Sequence, residues 1–252
     1  MDDQKTLAYI NLYAVLGALE NLCDLAPEAS EILTNKKPLS IGFEVKGGPS
    51  ATLTFYQGKC RMDQGCKNCD VKLPFSSPEK FNGLIDGTVT PIPSKGFTHI
   101  GFLLKDFTKL TDLLNKYMRP SEEDLKDPDF FRINTELTLY VVGVAIAQVG
   151  NNDEIGKFSA SHIPDGSVMI EIKNGPAVEV VSKNHRLICL KRRPDKYRCS
   201  MVFDSYETAN DLFAGKVNSI VCIGTGKVEM HGLISMLDNV NRILDRVALY
   251  LA

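Results

Sequence analysis

The feature that most constrains this chain is an internal repeat. Phe43-Glu-Val-Lys-Gly-Gly-Pro49 reappears as Ile170-Glu-Ile-Lys-Asn-Gly-Pro176, at an offset of 127 residues. Upstream, Leu12-Tyr13-Ala14-Val15 matches Leu139-Tyr140-Val141-Val142 at the same offset. Downstream the offset is 128. There Phe75, Ser77, Glu79, Asn82, Leu84, Gly87 and Val89 match Phe203, Ser205, Glu207, Asn210, Leu212, Gly215 and Val217. Further on, Gly96 is paired with Gly226 and Gly101 with Gly232, with small insertions where loops are expected. Ordered blocks at nearly one offset predict two copies of one structural unit. Each would have roughly 120 residues, enough to bury its own core. The expected division is 1–119, a linker or helix start at 120–128, and 129–252. The junction carries Pro120, Pro128 and a charge run, composition that suits a connecting segment.

The order of patterns is the same in both copies. Residues 6–22 carry Leu7, Ile10, Tyr13, Ala14, Ala18 and Leu22 at helical spacing. Ile41–Val45 and Ala51–Tyr56 are rich in β-branched and aromatic residues, and Gly47-Gly48-Pro49 joins them, a hairpin signal. A third strand, Asp70–Leu73, completes a meander. Ser76-Ser77-Pro78-Glu79 then reads as a helix start, and Gly87 ends that helix. A strand near Thr98–Phe102 and an amphipathic helix through Leu103, Leu104, Phe107, Leu110, Leu113, Leu114 and Tyr117 follow. In the second copy that last helix runs through Leu233, Met236, Leu237, Val240, Ile243, Leu244, Val247 and Leu251. The fold class is α+β: two repeated units, each a mostly antiparallel sheet covered by helices around an apolar core.

Composition excludes several function classes. Basic residues number 29 and acidic residues 31, and neither half has the positive excess of a nucleic-acid binder. No uninterrupted apolar run approaches 18 residues, so no transmembrane segment is expected. The N-terminus, Met1-Asp2-Asp3-Gln4, lacks a secretory signal pattern. Seven cysteines, an odd number, do not read as a disulfide framework and place the chain in a reducing cytoplasm.

The second copy resembles the lipid-binding domain of the sterol carrier protein type-two family. The matching residues are Ile170–Pro176, Cys199-Ser-Met-Val-Phe-Asp204, and Glu207 through Gly232. Within the last, Asp211-Leu-Phe-Ala-Gly-Lys-Val-Asn218 and Gly226-Lys-Val-Glu-Met-His-Gly232 follow the family pattern. The resemblance covers residues 166–248. The first copy departs from it, with Thr88 after Gly87 and Phe97 after Gly96. The resemblance implies a five-stranded sheet covered on one face by helices. It also implies an apolar tunnel for fatty acyl chains, acyl-CoAs or sterols, and no catalysis by the domain itself. The C-terminus, Leu249-Tyr250-Leu251-Ala252, lacks the peroxisomal address that some members carry.

Four groups of residues are candidates for function. Leu212, Phe213, Val217, Ile220, Ile223, Met236, Leu237 and Val240 line the tunnel if there is one, or fill a solid core. Cys60, Cys66 and Cys69 put three thiols in ten residues. Cys-x2-Cys is half of a familiar zinc site, and the fourth ligand would have to come from Cys23, Asp63 or Asp70, or from another chain. Inert thiols and a redox pair are the other readings, and reduced, metal-free cysteines are expected, with Cys66 and Cys69 able to oxidise together. The loop Lys191-Arg192-Arg193-Pro194-Asp195-Lys196-Tyr197-Arg198 carries five cations in eight residues. It can hold a phosphate, a CoA or an anionic membrane surface, or it is a solvated hairpin tip. His99 and His231 have no nucleophile near them in sequence, and Gly224-Thr-Gly226 reads as a turn. The expected function is non-enzymatic binding or carriage of a lipid or other long apolar ligand, without a cofactor and with transient membrane contact. The alternative is an accessory or scaffold protein whose paired domains bind a partner protein and whose pockets are filled.

Overall fold

In the computed structural model residues 2–251 are described. The chain divides into two compact units, one ending at Ile133 and the other beginning at Asn134. The division falls inside a helix. The segment 120–128 ahead of it carries a short 3-10 turn, Asp124–Lys126.

The first unit begins with α1 (Asp2–Ile10), which continues through a π turn and a 3-10 turn into α2 (Leu19–Leu25). Pro27 at the first turn of α3 (Pro27–Leu33) starts a new helix, because its missing N–H falls where no helical acceptor exists. Then come β1 (Leu39–Val45), β2 (Ser50–Tyr56), β3 (Lys59–Gln64) and β4 (Val71–Phe75). The sheet order is β3-β2-β1-β4. Pairing is antiparallel between β1 and β2, with Leu39 opposite Phe55, and between β2 and β3. β4 lies parallel to β1, with Ile41 opposite Val71. The expected meander is therefore corrected: a strand at Lys59–Gln64 was not foreseen, and β4 crosses over to the other side of β1. The missed strand follows a tight turn in which Gln57 and Gly58 both have positive φ, as a two-residue type I′ hairpin requires.

After the sheet come α4 (Pro78–Ile85), α5 (Ile100–Phe102) and α6 (Thr108–Met118), with a π turn at Leu103–Phe107 joining the last two. Ser77 caps α4, accepting from the Lys80 N–H at 3.4 Å. No strand forms over 98–102; this segment is helical. Gly96 has φ +87° and a Cβ there would strike the Asp70 carbonyl and the Val71 backbone. The chain thus turns away from β4 after a single bridge, Lys72 to Lys95. One face of the sheet, through Ile41, Phe43, Leu53, Phe55, Val71 and Leu73, is buried. Helical aromatics pack on it, Phe102 at 5.4 Å from Phe55 and Phe107 at 6.2 Å from Phe43.

The second unit is headed by α7 (Pro128–Asn152) and α8 (Glu154–Ser161). Among the described residues α7 is the one helix long and apolar enough to cross a membrane by length and composition. Run length alone did not foresee it, because polar residues interrupt the apolar stretch. Leu137, Leu139, Val141, Ala145, Ile146 and Val149 of α7 are buried in the fold. β5 (Gly166–Ile172), β6 (Ala177–Lys183), β7 (Arg186–Leu190), β8 (Cys199–Phe203) and β9 (Val228–Gly232) form a sheet of order β7-β6-β5-β8-β9. β5–β8 repeat the pairing senses of β1–β4, and the turn before β7 again has two positive-φ residues, Asn184 and His185. Between β8 and β9 lie α9 (Tyr206–Phe213) and α10 (Ser219–Gly224), and α11 (Ile234–Leu251) ends the chain.

The sheets correct the glycine register. Gly232 has φ +94° and a Cβ there would strike the Arg198 carbonyl and Cys199 Cα, the surroundings that Gly96 finds at Asp70 and Val71. Gly96 thus corresponds to Gly232, not Gly226, and Gly101 has no such counterpart. The offset is 128 at Val71 and Cys199 but 136 at these glycines. The second unit therefore has eight extra residues in this segment, which holds α10.

Candidate functional site

The eight apolar candidates fall into three environments. Met236, Leu237 and Val240 are buried on α11. Leu212 and Phe213, at the end of α9, are half-buried, and the Phe213 ring meets Phe203 edge-on at 5.4 Å. Val217, Ile220 and Ile223 face solvent, Ile220 at 77% exposure. The physical reason lies in α10. Its run Ile220–Ile223 reads as a strand but is capped as a helix. The Asn218 side chain accepts from the N–H groups of Ile220 and Val221 at 2.8 and 3.3 Å, satisfying donors that a helix start leaves free. A helical turn of four apolar residues cannot put them all on one side. Only Cys222 points inward and is buried; Val221 joins the exposed set.

The first unit carries an open cleft of about 510 Å³, bordered by Ser40, Thr52, Thr54, Asp63, Lys67 and Asp70. It lies on the sheet face opposite the core, since Ser40, Thr52 and Thr54 alternate with Ile41, Leu53 and Phe55. Asp70 is fixed there, accepting from Ser40 N–H at 2.8 Å and Ser40 Oγ at 2.7 Å. The Ser40 hydroxyl holds its carboxyl below the usual carboxylate range against the effect of burial. Thr52 Oγ1 donates to the Gly65 carbonyl at 2.8 Å. This lining suits water or a small polar molecule rather than an acyl chain. A second cleft, about 290 Å³, lies between Cys23–Pro27 and Gln57–Lys59.

The three clustered cysteines are divided by the sheet. Cys60 is opposite Phe55 in β3 and is buried on the core side. Cys66 and Cys69 lie across the other face, against the place where a Gly42 Cβ would be. Their sulfurs are 3.7 Å apart. Among the described residues no three His, Cys, Asp or Glu side chains are grouped to hold a metal. Burial, and then the hydrogen bond with Cys69, pushes the Cys66 thiol up to about 11. Such a thiol is mostly protonated at neutral pH and a weak nucleophile.

The basic loop has an internal use that sequence reasoning missed. Arg192 Nε is 3.0 Å from Glu179 Oε2 and Arg193 Nη1 is 2.6 Å from Glu171 Oε2. Both glutamates are buried in the sheet. A buried carboxylate needs a paired charge, so these two arginines serve the fold. A sequence signal existed: Glu171 and Glu179 interrupt two apolar strand runs. His231 Nε2 is 3.1 Å from Glu229. His162 Nδ1 lies 3.2 Å from Ser161 Oγ, but both share the Phe158 carbonyl, at 2.8 and 2.6 Å, in the last turn of α8.

No protein-family model and no curated protein matches the chain. Among solved structures it is similar to the sterol carrier protein domain 2 of Helicoverpa armigera, at 17% identity and TM-score 0.34. That likeness covers 41% of this chain and 82% of the other. It is similar also to sterol carrier protein 2 from Yarrowia lipolytica in its apo form, at 17% identity and TM-score 0.32, over 40% of this chain and 92% of that one. A third is described as a UbiJ-SCP2 ubiquinone synthesis protein, at 15% identity and TM-score 0.32, over 39% and 88%.

Proposed function

We propose that this protein is a tandem pair of sterol-carrier-like units, and that the second binds the apolar chain of a lipid-like ligand without catalysing a reaction. The proposed setting is the cytoplasm. One observation carries the reading. Among the residues of α10, an almost wholly apolar helix, only Cys222 is buried, while Ile220, Val221 and Ile223 stand in water. Each large aliphatic side chain left exposed forgoes about 1.5–3 kcal/mol of burial. Apolar material that covers α10 recovers it. Leu212 and Phe213, half-buried at the end of α9, are the residues an entering chain meets in this reading.

A second reading is favoured by a different observation. Met236, Leu237 and Val240 are wholly buried, as expected if the interior is filled and α10 serves to bind a partner protein. Uptake of a fluorescent fatty acid by the whole protein, in the absence of vesicles, separates the two. Saturable uptake that Leu212→Trp abolishes, with thermal stability kept, supports the carrier. No uptake by the unsubstituted protein overturns it.

A further inference from the structure

We propose that both units dock on an anionic lipid bilayer through the segment that follows their short helix. The proposal rests on the reading of α10 as a surface that meets apolar material. In the first unit the sequence from Gly87 to Lys105 contains no acidic residue, and Asp86 and Asp106 stand at its two ends. In the second unit the sequence from Leu212 to Val228 contains none either, between Asp211 and Glu229. Each carries two lysines, Lys95 with Lys105 and Lys216 with Lys227. In a chain with slightly more acidic than basic residues, these are two cationic stretches.

The same stretches hold exposed apolar side chains. Phe97, Ile100 and Leu104 are spaced three and four residues apart on a helical segment, which puts them on one side. Phe97 is 60% exposed and Leu104 72%. The other side of that segment, at Phe102 and Phe107, packs on the sheet. In the second unit Val217, Ile220, Val221 and Ile223 play the corresponding part. Apolar side chains and lysines on stretches that carry no carboxylate of their own match a bilayer whose head groups are anionic. The apolar chains enter the acyl boundary and the ammonium groups of Lys105, Lys216 and Lys227 stay at the phosphate level, while Lys95 Nζ donates to the Cys69 carbonyl. The two units differ here in length and secondary structure, yet both keep the same chemistry.

The test is co-sedimentation of the full chain with vesicles. Phosphatidylcholine alone is compared with phosphatidylcholine containing phosphatidylserine. Binding to the mixed vesicles, released by salt, is expected. Each lysine near such a surface contributes about fivefold to partitioning. Lys216→Gln with Lys227→Gln should therefore weaken binding by about 25-fold. Ile220→Ser with Val221→Ser, and separately Phe97→Ser with Leu104→Ser, should each reduce it about tenfold or more, with the thermal transition unchanged. Equal binding to both vesicles, no binding to either, or indifference to these variants overturns the proposal. So does a dimer of the free protein that Ile220→Ser with Val221→Ser dissolves, since that would make α10 a protein interface. Fatty-acid uptake without vesicles tests the carrier reading separately. Uptake without vesicle binding removes the docking and leaves the carrier; vesicle binding without uptake does the reverse.

Discussion

Asp153 shows how much one side chain can hold. It caps α8, accepting from Gly156 N–H at 2.8 Å, and it pairs with Arg246 Nη2 at 2.9 Å and the Tyr250 hydroxyl at 2.9 Å. Burial alone would raise its carboxyl. The Arg246 hydrogen bond, the Gly156 N–H and Tyr250 outweigh that and hold it below the usual range. Because the folded value lies below the unfolded one, the stabilisation is complete above about pH 5 and is lost as pH falls through the folded value. Asp153→Ala should cost about 3 kcal/mol at neutral pH, since it leaves Arg246 without its partner. Urea unfolding of both proteins should show the gap shrinking toward acid; a gap that is flat with pH would assign the loss to the cap alone. The glycines make a second comparison. Gly232→Ala meets backbone atoms at positive φ, whereas Gly215→Ala, also at positive φ, meets nothing within 4 Å. The second should cost about 1 kcal/mol, the strain of a left-handed alanine, and the first clearly more. At the sheet's second face, iodoacetamide should modify Cys66 slowly at neutral pH and faster as pH rises toward about 11. Exposure to air should join Cys66 to Cys69 and block both, which a thiol count before and after reduction reads.

At the scale of elements, each short helix is tied to the long helices of its unit by one asparagine. Asn82 on α4 donates to the Gln4 carbonyl at 2.9 Å and accepts from Asn11 Nδ2 at 3.1 Å. Asn210 on α9 donates to Asn134 Oδ1 at 2.7 Å and Thr135 Oγ1 at 3.0 Å. Both asparagines are buried. Removing one partner leaves others unsatisfied in the interior, so Asn210→Ala should cost about 1–3 kcal/mol by denaturant titration. A loss under 0.5 kcal/mol would mean that water replaces the side chain. The repeated spacing of these residues, Ser77 and Ser205 at the caps, and the β1–β2 hairpin signal were all legible in the sequence. β3 and β7 were not. Gln57-Gly58 and Asn184-His185 are not the commonest hairpin pairs, and both strands are short.

At the scale of the whole molecule, the strand order β3-β2-β1-β4 recurs as β7-β6-β5-β8, with β9 added in the second sheet. The division between the units lies inside α7, so its first turn is placed among first-unit residues. Tyr117 stacks on Phe130 at 4.2 Å, and its hydroxyl donates to Glu28 at 2.7 Å. Limited proteolysis should therefore cut first at the exposed part of 119–127 or in 86–95 and leave α7 whole. Mass spectrometry of early fragments checks this. A first cut within 128–152 would mean that the start of α7 frays.

The sequence by itself determined the recurring blocks at one offset, the α+β class, and the helix starts at Ser77 and Ser205. Those depend on residues close along the chain, through capping, hydrophobic period and turn chemistry. Tertiary structure decided what depends on the space between distant segments. It sent Cys60 to one face of a sheet and Cys66 with Cys69 to the other. It consumed Arg192 and Arg193 on buried glutamates, and it moved the counterpart of Gly96 to Gly232. It also left Ile220 and Val221 in water. A local pattern says that such side chains are apolar, but only the packing of the whole unit determines whether there is anything for them to pack against.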